Sequence, residues 1–223
     1  MIVEKGELPM KAKAAEMSGL IYKKALPQDA ERIFYIVQHT KDVIYPDYYA
    51  KTGVDFFGRL HSIENIRTDI EQGRSYALVK DGEIIGTGSY TDNHITRVYV
   101  LPEFQGQGFG TLIMDELEKE IFSCYDDCEL DASLPACIFY ENRGYKTVRH
   151  VRYEIGDGKL MIYEIMSKKM INKKFMAILQ KDSAAWPEIR SVRNANKTAF
   201  VRCFGADGKA RSNEDYYLQY HGR

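Results

Sequence analysis

A glycine-rich hexapeptide, Gln105-Gly106-Gln107-Gly108-Phe109-Gly110, restricts the fold more than any other part of the chain. It lies between a β-patterned run, HITRVYVL at 94–101, and an amphipathic helix marked by Phe109, Leu112, Ile113, Leu117 and Ile121. Glycines there permit a tight turn and let a ligand approach the main chain. The N–H groups that open a helix lack intrahelical acceptors, so they form a ready site for an anion such as a pyrophosphate. Two familiar phosphate loops do not fit. A P-loop needs Gly-Lys-Ser/Thr, which is missing. A dinucleotide fingerprint needs G-x-G-x-x-G inside a βαβ unit. Here the glycines fall at 106, 108 and 110, and SYALVK, Asp81-Gly82 and EIIGTGSY read as an antiparallel hairpin upstream. On the glycines alone, a turn with no ligand is the plain structural alternative.

The flanking chain supplies the rest of an α+β unit. Residues 20–26 alternate as a strand. Pro27 and Asp29 open a helix that Pro46 closes. A second helical pattern runs over 54–72, with Phe57, Leu60, Ile63, Ile66 and Ile70 at helical spacing. CELDAS is a short strand, LPACIFYENRG a short helix stopped by Gly144, and the last hairpin turns around Gly156-Asp157-Gly158. The expected architecture is a mixed, mostly antiparallel sheet flanked by helices over residues 19–170, after a ragged leader.

Residues 171–223 differ in charge. They hold ten Lys/Arg against five Asp/Glu, so they carry +5 while the residues before them carry −6. This basic C-terminal accessory segment is expected to form a helix and a hairpin at Asp207-Gly208. Arg190, Arg193 and Lys197 share one helical face there, read as solvated. The net charge of −1 over 223 residues excludes a nucleic-acid-coating protein. No apolar run is long enough for a membrane span, and the first residues lack the apolar core of a secretory signal. A soluble cytoplasmic protein is expected. Cys124, Cys128, Cys137 and Cys203 are too sparse for a disulfide framework and lack the partners of a zinc site, so they read as reduced structural thiols, with no metal.

The stretch VYVLPEFQGQGFGTLIMDEL resembles motif A of the GNAT acetyltransferase superfamily, whose signature is Gln/Arg-x-x-Gly-x-Gly/Ala; Gln105, Gly108 and Gly110 fill it. A second patch, SLPACIFYENRGY, is similar to a later motif of that family through Ala136, Phe139, Tyr140, Gly144 and Tyr145. The resemblance spans roughly 19–170 and implies acetyl-CoA as co-substrate. Its pyrophosphate is expected on the amides of Gln105, Gly106, Gly108, Phe109, Gly110 and Thr111. Its pantetheine arm is expected along Val98 and Val100, where such sheets splay, with one N–H near Val100 polarising the thioester carbonyl. Ser133 stands where the family often has Asn at the pantetheine contact.

The amine then attacks the carbonyl directly, and no Ser/His/Asp or Cys/His nucleophile set is present. The resemblance assigns the leaving-thiolate donor to Tyr140. It puts the general base eleven residues before Gln105, where the family often has a carboxylate and this chain has His94, a residue type suited to the task. A surface histidine is the bland alternative, and Asp92 or a water chain the chemical ones. The acceptor pocket is expected around Tyr45, Tyr48 and Tyr49, with Asp47, Phe56, Phe57 and His61 nearby. The expected reaction is acetylation of a primary amine on a small molecule. A protein or peptide N-acetyltransferase and a non-catalytic acyl-CoA-binding module are the alternatives, and a homodimer is compatible with the sequence.

Overall fold

The computed structural model describes residues 19–156 and 158–170. Seven strands form one sheet: β1 (Leu20–Lys24), β2 (Ser75–Lys80), β3 (Glu83–Thr91), β4 (His94–Val100), β5 (Asp127–Ala132), β6 (Lys146–Glu154) and β7 (Leu160–Lys169). Their order is β1-β2-β3-β4-β5-β7-β6. Every neighbouring pair is antiparallel except β4 and β5. Helices α1 (Ala30–Ile44), α2 (Lys51–Leu60) and α3 (Ile63–Glu71) precede β2; α4 (Phe109–Phe122) and α5 (Cys137–Asn142) flank β5. The expected mixed, mostly antiparallel α+β sheet is therefore present. The expected accessory helix and hairpin of 171–223 lie outside the described residues.

Local chemistry explains the connections. Asp81 and Gly82 both take positive φ, at 51° and 87°, which is the twist a two-residue hairpin turn needs. The helical pattern over 54–72 is two helices rather than one. The chain breaks at His61, and Ser62 caps α3 by accepting the Asn65 N–H at 3.3 Å. Periodicity passes through this break because Phe57 before it and Ile66 and Ile70 after it pack in one cluster.

The sheet buries both faces. On one, Ile113, Met114, Leu117 and Ile121 of α4 pack on Leu78, Ile85, Ile95 and Leu130. Gly88 makes this approach possible: a Cβ there would sit 2.6 Å from Ile113 Cγ2. On the other face, Ile33, Ile36 and Val37 of α1 join Phe57, Ile66, Ile70, Tyr99, Tyr163 and Ile165. Cys128 and Cys137 are free thiols, as expected. Cys203 lies outside the described residues. Among the described residues no helix is long and apolar enough to cross a membrane.

The feature that creates the site is the seam between β4 and β5. Only His94 with Glu129 and Ile95 with Leu130 pair across it. Against β3, Ser89 faces Arg97 and Tyr90 faces Ile95, so Thr96 is an extra residue, a bulge just past the last rung. Beyond it the two strands diverge.

Candidate active site

A cavity of about 560 Å³ fills the divergence, within the usual size for a small-molecule site. Residues 94–100 of β4 form one wall; Leu130, Asp131 and Ser133 form the opposite one. The Leu101 N–H bonds Ile85 O on the β3 side. By the alternation of a strand, Val98 and Val100 turn their main-chain groups into the gap. The Val100 carbonyl is engaged there by Gln105 Nε2 at 2.8 Å and Thr40 Oγ1 at 3.3 Å.

The glycine loop closes one end of the cavity through Gln105, Gly106, Gly108, Gly110 and Thr111. Gly106 and Gly108 have φ of 75° and 91°, and Gly108 is the N-cap of α4. The first bond of this helix runs from Leu112 N–H to Gly108 O, so the amides of Phe109, Gly110 and Thr111 precede the helical ladder. No side chain caps this end and no acidic residue sits in the first turn. The loop suits a pyrophosphate on geometric and electrostatic grounds. Phe109 contributes by its main chain alone, because its ring is buried against Phe104 in the α4-side core.

Hydroxyls cluster where the strands part. The Tyr45 hydroxyl donates to Ser133 Oγ at 3.1 Å and lies 3.2 Å from the Tyr99 hydroxyl. One side chain from the turn after α1 thus bridges β4 and the end of β5. Tyr140, on α5, is buried, lies edge-on to Phe139 and Tyr145, and lines the same cavity. Burial, the largest cause in each case, raises Tyr45, Tyr99 and Tyr140 above the ordinary phenol range. All three stay protonated at neutral pH, so each is a proton donor there. Cys137, also raised by burial, donates weakly to Ser133 O and is no thiolate nucleophile.

His94 also lines the cavity and is buried, with Nε2 3.8 Å from Asp131 Oδ1. Asp92, the alternative base, instead accepts a hydrogen bond from the Tyr125 hydroxyl and is not on the cavity wall. Of the three tyrosines expected to hold the acceptor, Tyr45 lines the cavity and the other two do not. Tyr48 is 51% exposed, because the turn Tyr45–Asp47 swings it outward, and Asp47 is exposed beside it. Tyr49 clips that turn to the far strands: its hydroxyl accepts the Leu134 N–H at 2.7 Å and donates to Ile162 O at 3.3 Å. Ile44, Phe56, Phe57, Leu60 and His61 complete the acceptor wall.

Asp131 and Arg97 escaped the sequence reading. A signal existed for both. Asp127, Glu129 and Asp131 alternate with buried Cys128, Leu130 and Ala132, so one face of a central strand is acidic. Arg97 is a charge in the middle of an otherwise core-like strand.

Comparison with known proteins fits this geometry. Residues 45–157 match the family model described as an acetyltransferase (GNAT) domain. A search of curated proteins finds no match. Among solved structures, a GCN5-related N-acetyltransferase from Rhodopseudomonas palustris is similar at 24% identity and TM-score 0.62, over 67% of this chain and 95% of that one. The PaiA N-acetyltransferase of Thermoplasma acidophilum, in complex with coenzyme A, is similar at 20% identity and TM-score 0.55, over 68% and 99%. The ribosomal-protein-S18-alanine N-acetyltransferase of Escherichia coli is similar at 16% identity and TM-score 0.50, over 69% and 97%. The chain belongs to the GNAT acetyltransferase family. It is an acetyltransferase with acetyl-CoA as its co-substrate.

Proposed function

We propose that the chain acetylates the primary amine of a small molecule by direct attack in a ternary complex. One observation carries the reading: a single cavity of about 560 Å³ joins the open amides of α4 to His94 and Tyr140. Its acceptor end is walled by Phe56, Phe57, Leu60 and Tyr45, which suits a compact ligand rather than a chain passing through. The likeness to the ribosomal-protein enzyme is one of fold and does not carry its substrate across.

Each residue then has a task. The amides at the start of α4 hold the pyrophosphate, and residues 98–100 offer main-chain groups to the pantetheine arm. Bound acetyl-CoA supplies an activated acyl carbonyl. His94 takes the proton that an alkyl ammonium, with a pKa near 10, must lose before attack. Asp131 Oδ1 lies 3.8 Å from His94 Nε2 and orients the ring. The Val100 N–H faces the developing oxyanion. Tyr140, kept protonated by burial, gives its proton to the leaving thiolate.

Thermal unfolding tests the co-substrate directly, with ATP and NAD as controls. Acetyl-CoA at about a hundred times its Kd stabilises by roughly 2.7 kcal/mol, which for a domain of this size raises Tm by about 5–10 °C. Thiol release with a panel of amines then tests transfer. Tyr140→Phe is expected to lower kcat by roughly 100-fold while keeping the acetyl-CoA shift. A shift in the wild-type protein with no thiol release from any amine would favour an acyl-CoA-binding module instead.

A further inference from the structure

In the reading above, the pyrophosphate is anchored at the start of α4, whereas the proton donor stands on α5. The two helices have to keep a fixed relation for the donor to meet the leaving sulfur. Little in α5 itself secures this. It has six residues, Cys137–Asn142, too few for its own hydrogen bonds to hold it in place. Among the described residues the Tyr140 hydroxyl makes no hydrogen bond.

Two contacts clamp α5 to α4. At its start, Phe139 Cζ lies 3.5 Å from the point where a Gly110 Cβ would stand. At its end is Arg143, whose Nη2 donates to Asp115 Oδ1 at 2.7 Å and whose Nε donates to Glu118 Oε1 at 3.3 Å. Asp115 and Glu118 are three residues apart on α4, so one planar guanidinium spans both. The Arg143 side chain is 12% exposed and that of Glu118 10%, a setting in which charge-assisted bonds are strong. Lys168 of β7 donates to Glu118 Oε2 at 2.7 Å, so the sheet fixes this carboxylate as well.

Main chain links the clamp to the donor. The N–H groups of Arg143 and Tyr145 both bond the Tyr140 carbonyl, at 3.0 and 3.1 Å. Gly144 between them takes a φ of 89°, the left-handed turn this double bond needs. Arg143, Asp115 and Glu118 are not on the cavity wall, so any effect they have on turnover passes through another residue.

We propose that Arg143 is a positioning residue: by fixing the end of α5 to α4 it holds the Tyr140 hydroxyl at the leaving sulfur. This rests on the donor role given to Tyr140 above.

The test is a double-mutant cycle on the full chain, with kcat and KM from thiol release and acetyl-CoA binding from the rise in Tm. Arg143→Gln is expected to lower kcat by roughly 10-fold, within the roughly 100-fold expected when the Tyr140 hydroxyl is removed. KM for both substrates and the rise in Tm should match the wild type. In a Tyr140→Phe background the same substitution should cost nothing further, because no donor is left to position. A merely structural role would lower kcat equally in both backgrounds. That result, or an unchanged kcat in Arg143→Gln alone, would overturn the proposal. If Arg143→Gln does not fold, Asp115→Ala removes the shortest Arg143 bond from an exposed site and is read by the same criterion. Full turnover in Tyr140→Phe would sink the donor reading and this inference together. Lost turnover in Tyr140→Phe with an undiminished Arg143 effect would sink this inference alone.

Discussion

The two faces of the sheet solve different problems with different chemistry. The α4 face is mainly apolar, and at its edge it brings to the cavity the open amides of one loop and a single polar side chain, that of Tyr140. The α1–α3 face buries Asp69, Arg97, His61 and His94 among its apolar side chains, and His61, His94 and Tyr45 line the cavity. Main-chain recognition depends on backbone shape and a few glycines. Side-chain recognition depends on each residue separately. One family can therefore keep a common co-substrate on the first face while its acceptors vary on the second.

Three substitutions or conditions bear on that division, in order of expected effect. His94→Gln alters the acceptor face alone. It should lower kcat/KM for the amine by roughly 10²- to 10⁴-fold with the acetyl-CoA-induced Tm rise intact; loss of that rise would mean the faces are not separable. Gly88→Ala alters the α4 face alone, putting a Cβ 2.6 Å from Ile113 Cγ2 and 3.0 Å from Leu117 Cδ1. Overpacking of this kind costs about 1–3 kcal/mol, read from the urea midpoint, and the rate per folded molecule should not change. The smallest effect lies in alkali. Burial pushes the Cys128 thiol from 9.0 up to about 12. Between those values the unfolded chain loses this proton while the folded one keeps it, so stability should fall as pH rises from 9 to 12. Cys128→Ala should make that slope shallower, most visibly between pH 9 and 10 before the buried tyrosines add to it, and Cys128 should resist alkylation in the native protein at pH 8.

The strand, glycine loop and helix at one end of the cavity were legible because they are local: they lie within about thirty residues, and glycine type reports backbone shape directly. The acceptor end was only partly legible. Tyr45 and Tyr48 are close in sequence and identical in type, yet a 3-10 turn sends one into the cavity and the other into solvent. Asp131 meets His94 through a parallel pairing that no turn signal announces. The Arg97–Asp69–Arg74 cluster joins β4, α3 and the loop residue just before β2. The break at Ser62 was hidden because the helices on both sides present the same apolar stripe.

The seam between β4 and β5 also has a mechanical meaning. With two residue pairs holding it, the seam joins a four-stranded leaf and a three-stranded leaf along one short edge. The Tyr45 hydroxyl, reaching Tyr99 on one leaf and Ser133 on the other, is a tie across that seam. An extended amide-bearing ligand laid along residues 98–100 would add rungs where the ladder stops, so that filling the site and fastening the two leaves become one event.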